Sequence, residues 1–156
     1  MSIQDFEKRP GVNRVEVRHG HAQAQVYSLK PPVMDERLRV LKAVADANIS
    51  IDFLKLTEDG LSFIMSDADK AAVQDTLQNA GVKFSLLESV SVVMVHAVNM
   101  RDEEGLIANI VRQAITSGAR VSHLGDMHDR LLLVAESHDA EKLAAQFRRT
   151  FPEVRP

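Results

Sequence analysis

Val90-Ser91-Val92-Val93-Met94-Val95-His96-Ala97-Val98, followed closely by Asp102-Glu103-Glu104-Gly105-Leu106, is the stretch on which the fold turns. So many valines in a row predict a strand buried on both faces or nearly so. Asp102 is placed to cap a helix whose apolar stripe is Ile107, Ile110 or Val111, and Ala114, with Gly118 as its left-handed stop. Further on, Arg120–Leu124 and Leu131–Ala135 read as a hairpin around Asp126–Asp129. A last helix begins at Ser137 or Asp139, turns Leu143, Ala144 and Phe147 inward, and ends at Pro152.

The same order precedes it. Ala22–Leu29 is a strand, Lys30-Pro31-Pro32-Val33 breaks the chain, and a helix follows with Asp35 as N-cap and Leu38, Leu41 and Ala45 on one face, stopping near Ala47 or Asn48. Ile49, Ile51 and Phe53 alternate in a strand that turns at Glu58-Asp59-Gly60 into Leu61–Met65. Ser66 and Asp67 offer caps to a helix carrying Val73, Leu77 and Ala80; Gly81 closes it and Val82, Phe84 and Leu86 form a further strand. Strand, helix, strand, strand, helix therefore occurs twice, with roughly 65 residues per unit.

A βαββαβ order places two helices on one face of a four-stranded antiparallel sheet, the ferredoxin-like α+β arrangement. The first unit, 22–88, contains all six elements. The second, 90–151, lacks its last strand, which would leave an apolar edge unpaired. Val12, Val15 and Val17 mark a spare strand at 12–18, expected to complete the second unit's sheet and interlock the two.

The composition excludes several classes of function. The chain has 156 residues, 45% hydrophobic and 26% charged, with nineteen Lys and Arg against twenty-two Asp and Glu. A net charge of -3 gives no basic surplus for nucleic acid. Cysteine is absent, which removes disulfides, thiolate metal sites and cysteine nucleophiles, and a reducing cytoplasm is the expected compartment. No apolar run approaches the roughly 20 residues of a membrane span. Met1–Pro10 is polar and does not read as a signal peptide.

These residues resemble tandem ACT domains, specifically the regulatory half of aspartokinases. Ser91-Val92-Val93-Met94-Val95, Met100-Arg101-Asp102-Glu103-Glu104-Gly105-Leu106, Ser117-Gly118-Ala119-Arg120-Val121 and Asp139-Ala140-Glu141-Lys142-Leu143 follow that family's order and spacing. Ala43-Val44-Ala45-Asp46-Ala47-Asn48-Ile49-Ser50-Ile51-Asp52 and Glu58-Asp59-Gly60 before Leu61-Ser62-Phe63 are similar in the first unit. The resemblance implies a non-catalytic regulatory chain that binds free lysine or threonine as a feedback signal and dimerises through its ACT faces. A separate kinase subunit is the implied partner, since neither a Gly-x-x-x-x-Gly-Lys nor a Gly-x-Gly-x-x-Gly phosphate loop is present. No cofactor, nucleic acid or membrane is expected. The alternative is an effector-blind ACT module that dimerises or binds partners without an amino acid; a third is a small chorismate-type or transferase activity on the same fold, for which no catalytic residue can be named.

In such pairs the amino acid contacts the turn joining a unit's first strand to its first helix, and the adjoining second strand. Helix-start N–H groups suit its carboxylate. A terminus contributes only about 0.3–2 kcal/mol, against roughly 4–8 kcal/mol for a millimolar-to-micromolar sensor, so close backbone approach and an ammonium contact must supply the rest. The implied positions are Lys30, Met34, Asp35 and Lys55 in the first unit, and Met100, Arg101, Asp102, Gly105, Leu106, Gly125 and Asp126 in the second. The first unit departs from the family's Asp-x-Pro-Gly turn, having Lys30-Pro31-Pro32-Val33-Met34-Asp35 without the glycine, and Lys55-Leu56 where the family has Gln-Asn. The second keeps Gly105 but reads Gly125-Asp126-Met127-His128 in place of Ser-Thr-Ser-Glu.

Other polar groups have plainer explanations. His19 and His21 around Gly20, and Asp126, His128 and Asp129 in one turn, have metal-ligand chemistry but sit where turns are solvated, so no metal site is expected. Glu103 and Glu104 before a helix, and Arg148 and Arg149 at the end of one, complement helix dipoles. His96, within the valine-rich strand, is the group whose ionisation should respond to burial.

Overall fold

The computed structural model describes residues 11–98, 105–127 and 129–151. Among the described residues, six strands and four helices run β1 (Gly11–Tyr27), α1 (Val33–Asp46), β2 (Ile51–Thr57), β3 (Gly60–Ser66), α2 (Lys70–Asn79), β4 (Lys83–Val98), α3 (Leu106–Thr116), β5 (Val121–Met127), β6 (Arg130–Glu136) and α4 (Ser137–Thr150). A short 3-10 turn, Asp67–Asp69, leads into α2, and the Ser66 side chain accepts the Ala68 N–H at 3.3 Å. Hydrogen-bonded neighbours follow the order β2-β3-β1-β4-β6-β5.

The chain divides into two compact units. One, the inserted unit, is Gly20–Val90; the other, the split unit, joins residues up to His19 to those from Ser91 onward. Strands β1 and β4 each give one half to each unit. The inserted unit therefore holds β2, β3, the second half of β1 and the first half of β4, with α1 and α2. Here β1 runs antiparallel to β3 in unbroken register from His21↔Ser66 to Val26↔Leu61. Its core gathers Val26, Val40, Val44, Phe63, Val73 and Leu77 among others. The split unit holds the first half of β1, the second half of β4, β6 and β5, with α3 and α4. Val12, Val15, Val93, Val95, Ile110 and Phe147 belong to its core. The outer strands of the order, β2 and β5, each carry an irregular register, between Asp52 and Lys55 and between Val121 and His123. Bulges of this kind discourage uncontrolled edge pairing.

Several expectations need correction. The pairs of strands expected at 12–18 and 22–29, and at 82–86 and 90–98, are single long strands β1 and β4, because Gly20 (φ 85°) and Ser89 (φ 54°) bend the chain through left-handed backbone without ending the ladder. Asp35 is not the N-cap of α1: the helix starts at Val33 behind Pro32, and Asp35 lies in its first turn, where it favours the dipole. The buried stripe is Val40 and Val44 with Val33 and Leu41, while Leu38 is 58% exposed and Ala45 faces out. The helix offers two stripes at three-four spacing, and the one that holds Val40 and Val44 turns inward; Arg37 reaches the β2–β3 turn. Helix α3 starts at Leu106 behind Gly105, one turn later than an Asp102 cap would give; Asp102 lies outside the described residues. Asp126 and Met127 belong to β5 rather than to the turn.

Candidate functional site

The inserted unit's strand-to-helix turn is held from within. At the end of β1 the Leu29 N–H donates to the Asp59 carbonyl at 2.9 Å, and the Ser28 N–H donates to the Asp59 carboxylate at 3.0 Å. Ser28 adopts φ 52°, a conformation rarely taken by residues with a side chain. From α1, Arg37 donates to the carbonyls of Gly60 at 2.9 Å, Glu58 at 3.3 Å and Thr57. A guanidinium with five fixed donors suits three converging carbonyls. Hairpin and strand end are thus stapled together. Lys30, Met34, Asp35 and Lys55 are all exposed around this region; none makes a hydrogen bond to the staple. Neither Arg37 nor Asp59 stood out in the sequence, where Asp59 read only as a turn former.

In the split unit, Gly105 opens α3 in the left-handed region (φ 78°) and its carbonyl accepts the Asn109 N–H at 2.9 Å. A side chain there would be strained by the backbone, although nothing lies within 4 Å of a Cβ built on it. Leu106, a candidate contact, is buried in the core. Gly125 and Asp126 lie on β5, opposite Leu132 and Leu131. Met100 and Arg101 fall, like Asp102, outside the described residues. Among the described residues no group of three His, Asp or Glu side chains could hold a metal ion.

His96, near the end of β4, has its Nε2 shielded from solvent and, among the described residues, without a hydrogen-bond partner. Burial lowers its pKa below the usual imidazole range, the Arg130 and Arg14 charges push it the same way, and Glu16 and Asp129 oppose them. The unfolded chain then takes up the proton before the folded one does. Stability from this group is complete above about pH 6.5 and is lost as pH falls from there through the folded-state pKa. Urea unfolding should show a decline below pH 6.5 that His96→Gln flattens; an unchanged slope in the variant would remove His96 as its source.

A second polar cluster has the outline of a nucleophile relay. Ser91 Oγ lies 2.6 Å from His19 Nδ1 and 2.8 Å from Ser137 Oγ, and His19 Nε2 lies 2.8 Å from Glu141 Oε1. Ser91 is fully buried, so its hydroxyl cannot meet a substrate in this conformation. The cluster instead ties β1 and β4 to α4. Asp139, also buried, accepts the Arg120 N–H at 3.0 Å and holds the α3–β5 connection against the start of α4.

With this geometry in view, the solved structures similar to this chain are informative. The regulatory subunit of aspartate kinase from Thermus thermophilus, in a ligand-free form, superposes with a TM-score of 0.79 at 16% identity, covering 90% of this chain and 97% of that one. A chain of an aspartokinase alpha and beta subunit structure gives 0.79 at 20% identity, covering 89% and 97%. Aspartokinase III of E. coli, in complex with aspartate and ADP, gives 0.73 at 16% identity, covering 91% of this chain but 34% of that one. No protein-family model matches the sequence, and no curated protein matches it. The fold is that of aspartate kinase regulatory subunits and domains. No helix among the described residues is long and apolar enough to cross a membrane.

Proposed function

We propose that the chain is a non-catalytic regulatory protein made of two ACT units, one at residues 22–88 and one at 90–151 completed by 12–18, which responds to a free amino acid of the lysine or threonine class. The observation that carries this reading is the end-to-end fold match with chains that are themselves regulatory subunits. A separate kinase subunit is the partner this suggests. Assembly with a second copy is supported by the apolar side chains left exposed on both units: Met34 and Leu38 on α1 and Leu54 and Leu56 on β2 in the inserted unit, and Ile115 on α3 and Leu124 on β5 in the split unit. In the split unit a groove of about 200 Å³ runs among Val111, Ala114, Ile115, Val121, Leu124 and Leu133. Clustered exposed apolar groups of this kind mark interaction faces.

The effector-blind alternative draws support from one observation, the staple of Asp59 and Arg37 that occupies the inserted unit's turn. A melting screen against the twenty amino acids separates the two readings. A ligand at 100 times its dissociation constant adds about 2.7 kcal/mol, which for a chain of this size raises Tm by about 5–10 °C. A selective rise with one amino acid is the expected result; a flat profile across all twenty would leave the interaction module as the reading.

A further inference from the structure

We infer that Ser137, at the start of α4 in the split unit, is an acyl-acceptor site: its hydroxyl takes the acyl group of a small activated ester while Ser91, His19 and Glu141 draw off its proton. The inference is independent of the effector reading, since a chain that senses no amino acid would carry the site equally well.

The direction of the hydrogen bonds sets this cluster apart from an ordinary group of polar contacts. A carboxylate can only accept, so the His19 nitrogen 2.8 Å from Glu141, Nε2, carries the proton. In the neutral imidazole the other nitrogen is then an acceptor, and Ser91 Oγ, 2.6 Å from Nδ1, donates to it. With its one proton committed there, Ser91 accepts from Ser137 Oγ at 2.8 Å. Every donor therefore points the same way, from Ser137 through Ser91 and His19 to Glu141. A proton leaving Ser137 has a path along bonds that are already formed.

Burial divides the roles. Ser91 is fully buried and can only relay. Ser137 is half-buried, while His19 and Glu141 are 52% and 60% exposed. The hydroxyl at the outer end of the serine pair is thus the one a reagent can meet. Three elements hold the four residues: His19 stands on β1, Ser91 on β4, and Ser137 and Glu141 one turn apart on α4. Ser137 is the first residue of that 14-residue helix, and the Glu136 side chain before it makes no capping hydrogen bond. First-turn N–H groups have no acceptor inside a helix, so the oxygen that becomes negative when Ser137 attacks a carbonyl develops its charge where such charge is favoured. Glu136, Asp139 and Glu141, all within a turn of Ser137, select a donor with no negative charge of its own.

The step balances within the cluster. Ser137 Oγ bonds to the acyl carbon as that carbon's bond to the leaving oxygen breaks. The Ser137 proton passes to Ser91 and the Ser91 proton to His19 Nδ1, which leaves an imidazolium beside Glu141. The leaving group departs as its oxyanion, and the imidazolium returns its proton to solvent.

The test is intact-mass spectrometry and peptide mapping of the full chain incubated with p-nitrophenyl acetate, with release of p-nitrophenolate followed in parallel and Tm recorded for every variant. One acetyl group on Ser137 is expected, absent in Ser137→Ala. Ser91→Ala and His19→Gln should acetylate Ser137 at least about a hundredfold more slowly, a loss that a change in Tm does not account for. Acetylation of the natural chain should also slow in heavy water, and that isotope effect should shrink in Ser91→Ala, which a merely structural role for Ser91 would not produce. Should a relay variant fail to fold, Glu141→Gln gives the reading from an exposed side chain. Acetyl groups on lysines alone, acetylation of Ser137 at an undiminished rate in the relay variants, or an equal yield of p-nitrophenolate from Ser137→Ala would overturn the proposal.

Discussion

Gly60→Ala is expected to destabilise the chain by about 3 kcal/mol, the upper end for overpacking a tight site. A Cβ at this position would lie 1.9 Å from the Val26 carbonyl oxygen and 2.7 Å from its carbon. Neither neighbour is a side chain that can swing aside. Val26 pairs with Leu61 on β3, and the Gly60 carbonyl is gripped by Arg37, so both segments are held where they are. Relief must come from parting the strand from the turn, and with it the Leu29 and Ser28 bonds to Asp59. Gly81→Ala is the matched control. That residue needs left-handed backbone (φ 71°) but has nothing within 4 Å of a Cβ, so its cost is the conformational one alone, about 1 kcal/mol. Urea unfolding of the two variants should differ by about 2 kcal/mol. Equal midpoints would mean that the turn does not press on β1.

How much of this was legible beforehand depends on the range of the interaction that fixes each feature. Helices α2, α3 and α4 followed from local period: Val73 and Leu77, Ile110 and Ala114, and Leu143, Ala144 and Phe147 are the residues they bury. Gly81 and Gly118 do adopt left-handed backbone beside the helix ends where they were placed. The rotation of α1 was not legible, since Leu38-Leu41-Ala45 and Val40-Val44 have equal periodic claims and only tertiary packing, which buries Val40 and Val44, decides between them. Nor was the continuity of β1 and β4, where Ser89 takes a left-handed conformation that no local rule assigns to serine. At the candidate site the glycine turn of α3 and the sensitivity of His96 were readable from residue type. The staple was not, because Asp59 and Arg37 acquire their partners only when a hairpin, a strand end and a helix meet.

Removing residues 1–19 should be the most damaging change, and it tests whether this segment is the missing fourth strand of the split unit. Val12 and Val15 are buried in that unit's core, and two valines at about 1.5–3 kcal/mol each represent roughly 3–6 kcal/mol before any backbone pairing is counted. A typical domain has only about 5–15 kcal/mol in total. The truncation also removes His19, the partner that Ser91 and Glu141 share, and exposes a flank of the valine-rich β4, a template for aggregation. Loss of cooperative melting of the split unit, with aggregation at micromolar concentration, is therefore expected. The decisive arm is a rescue: residues 11–19 are reattached after the carboxyl terminus through a flexible linker of about ten Gly and Ser residues. The split unit would then read strand, helix, strand, strand, helix, strand without interruption, and its melting should return. If the truncated chain melts like the full one, β1 is dispensable to the split unit; if truncation is damaging but reattachment fails, the segment acts through its continuity with residue 20 and not as the closing strand.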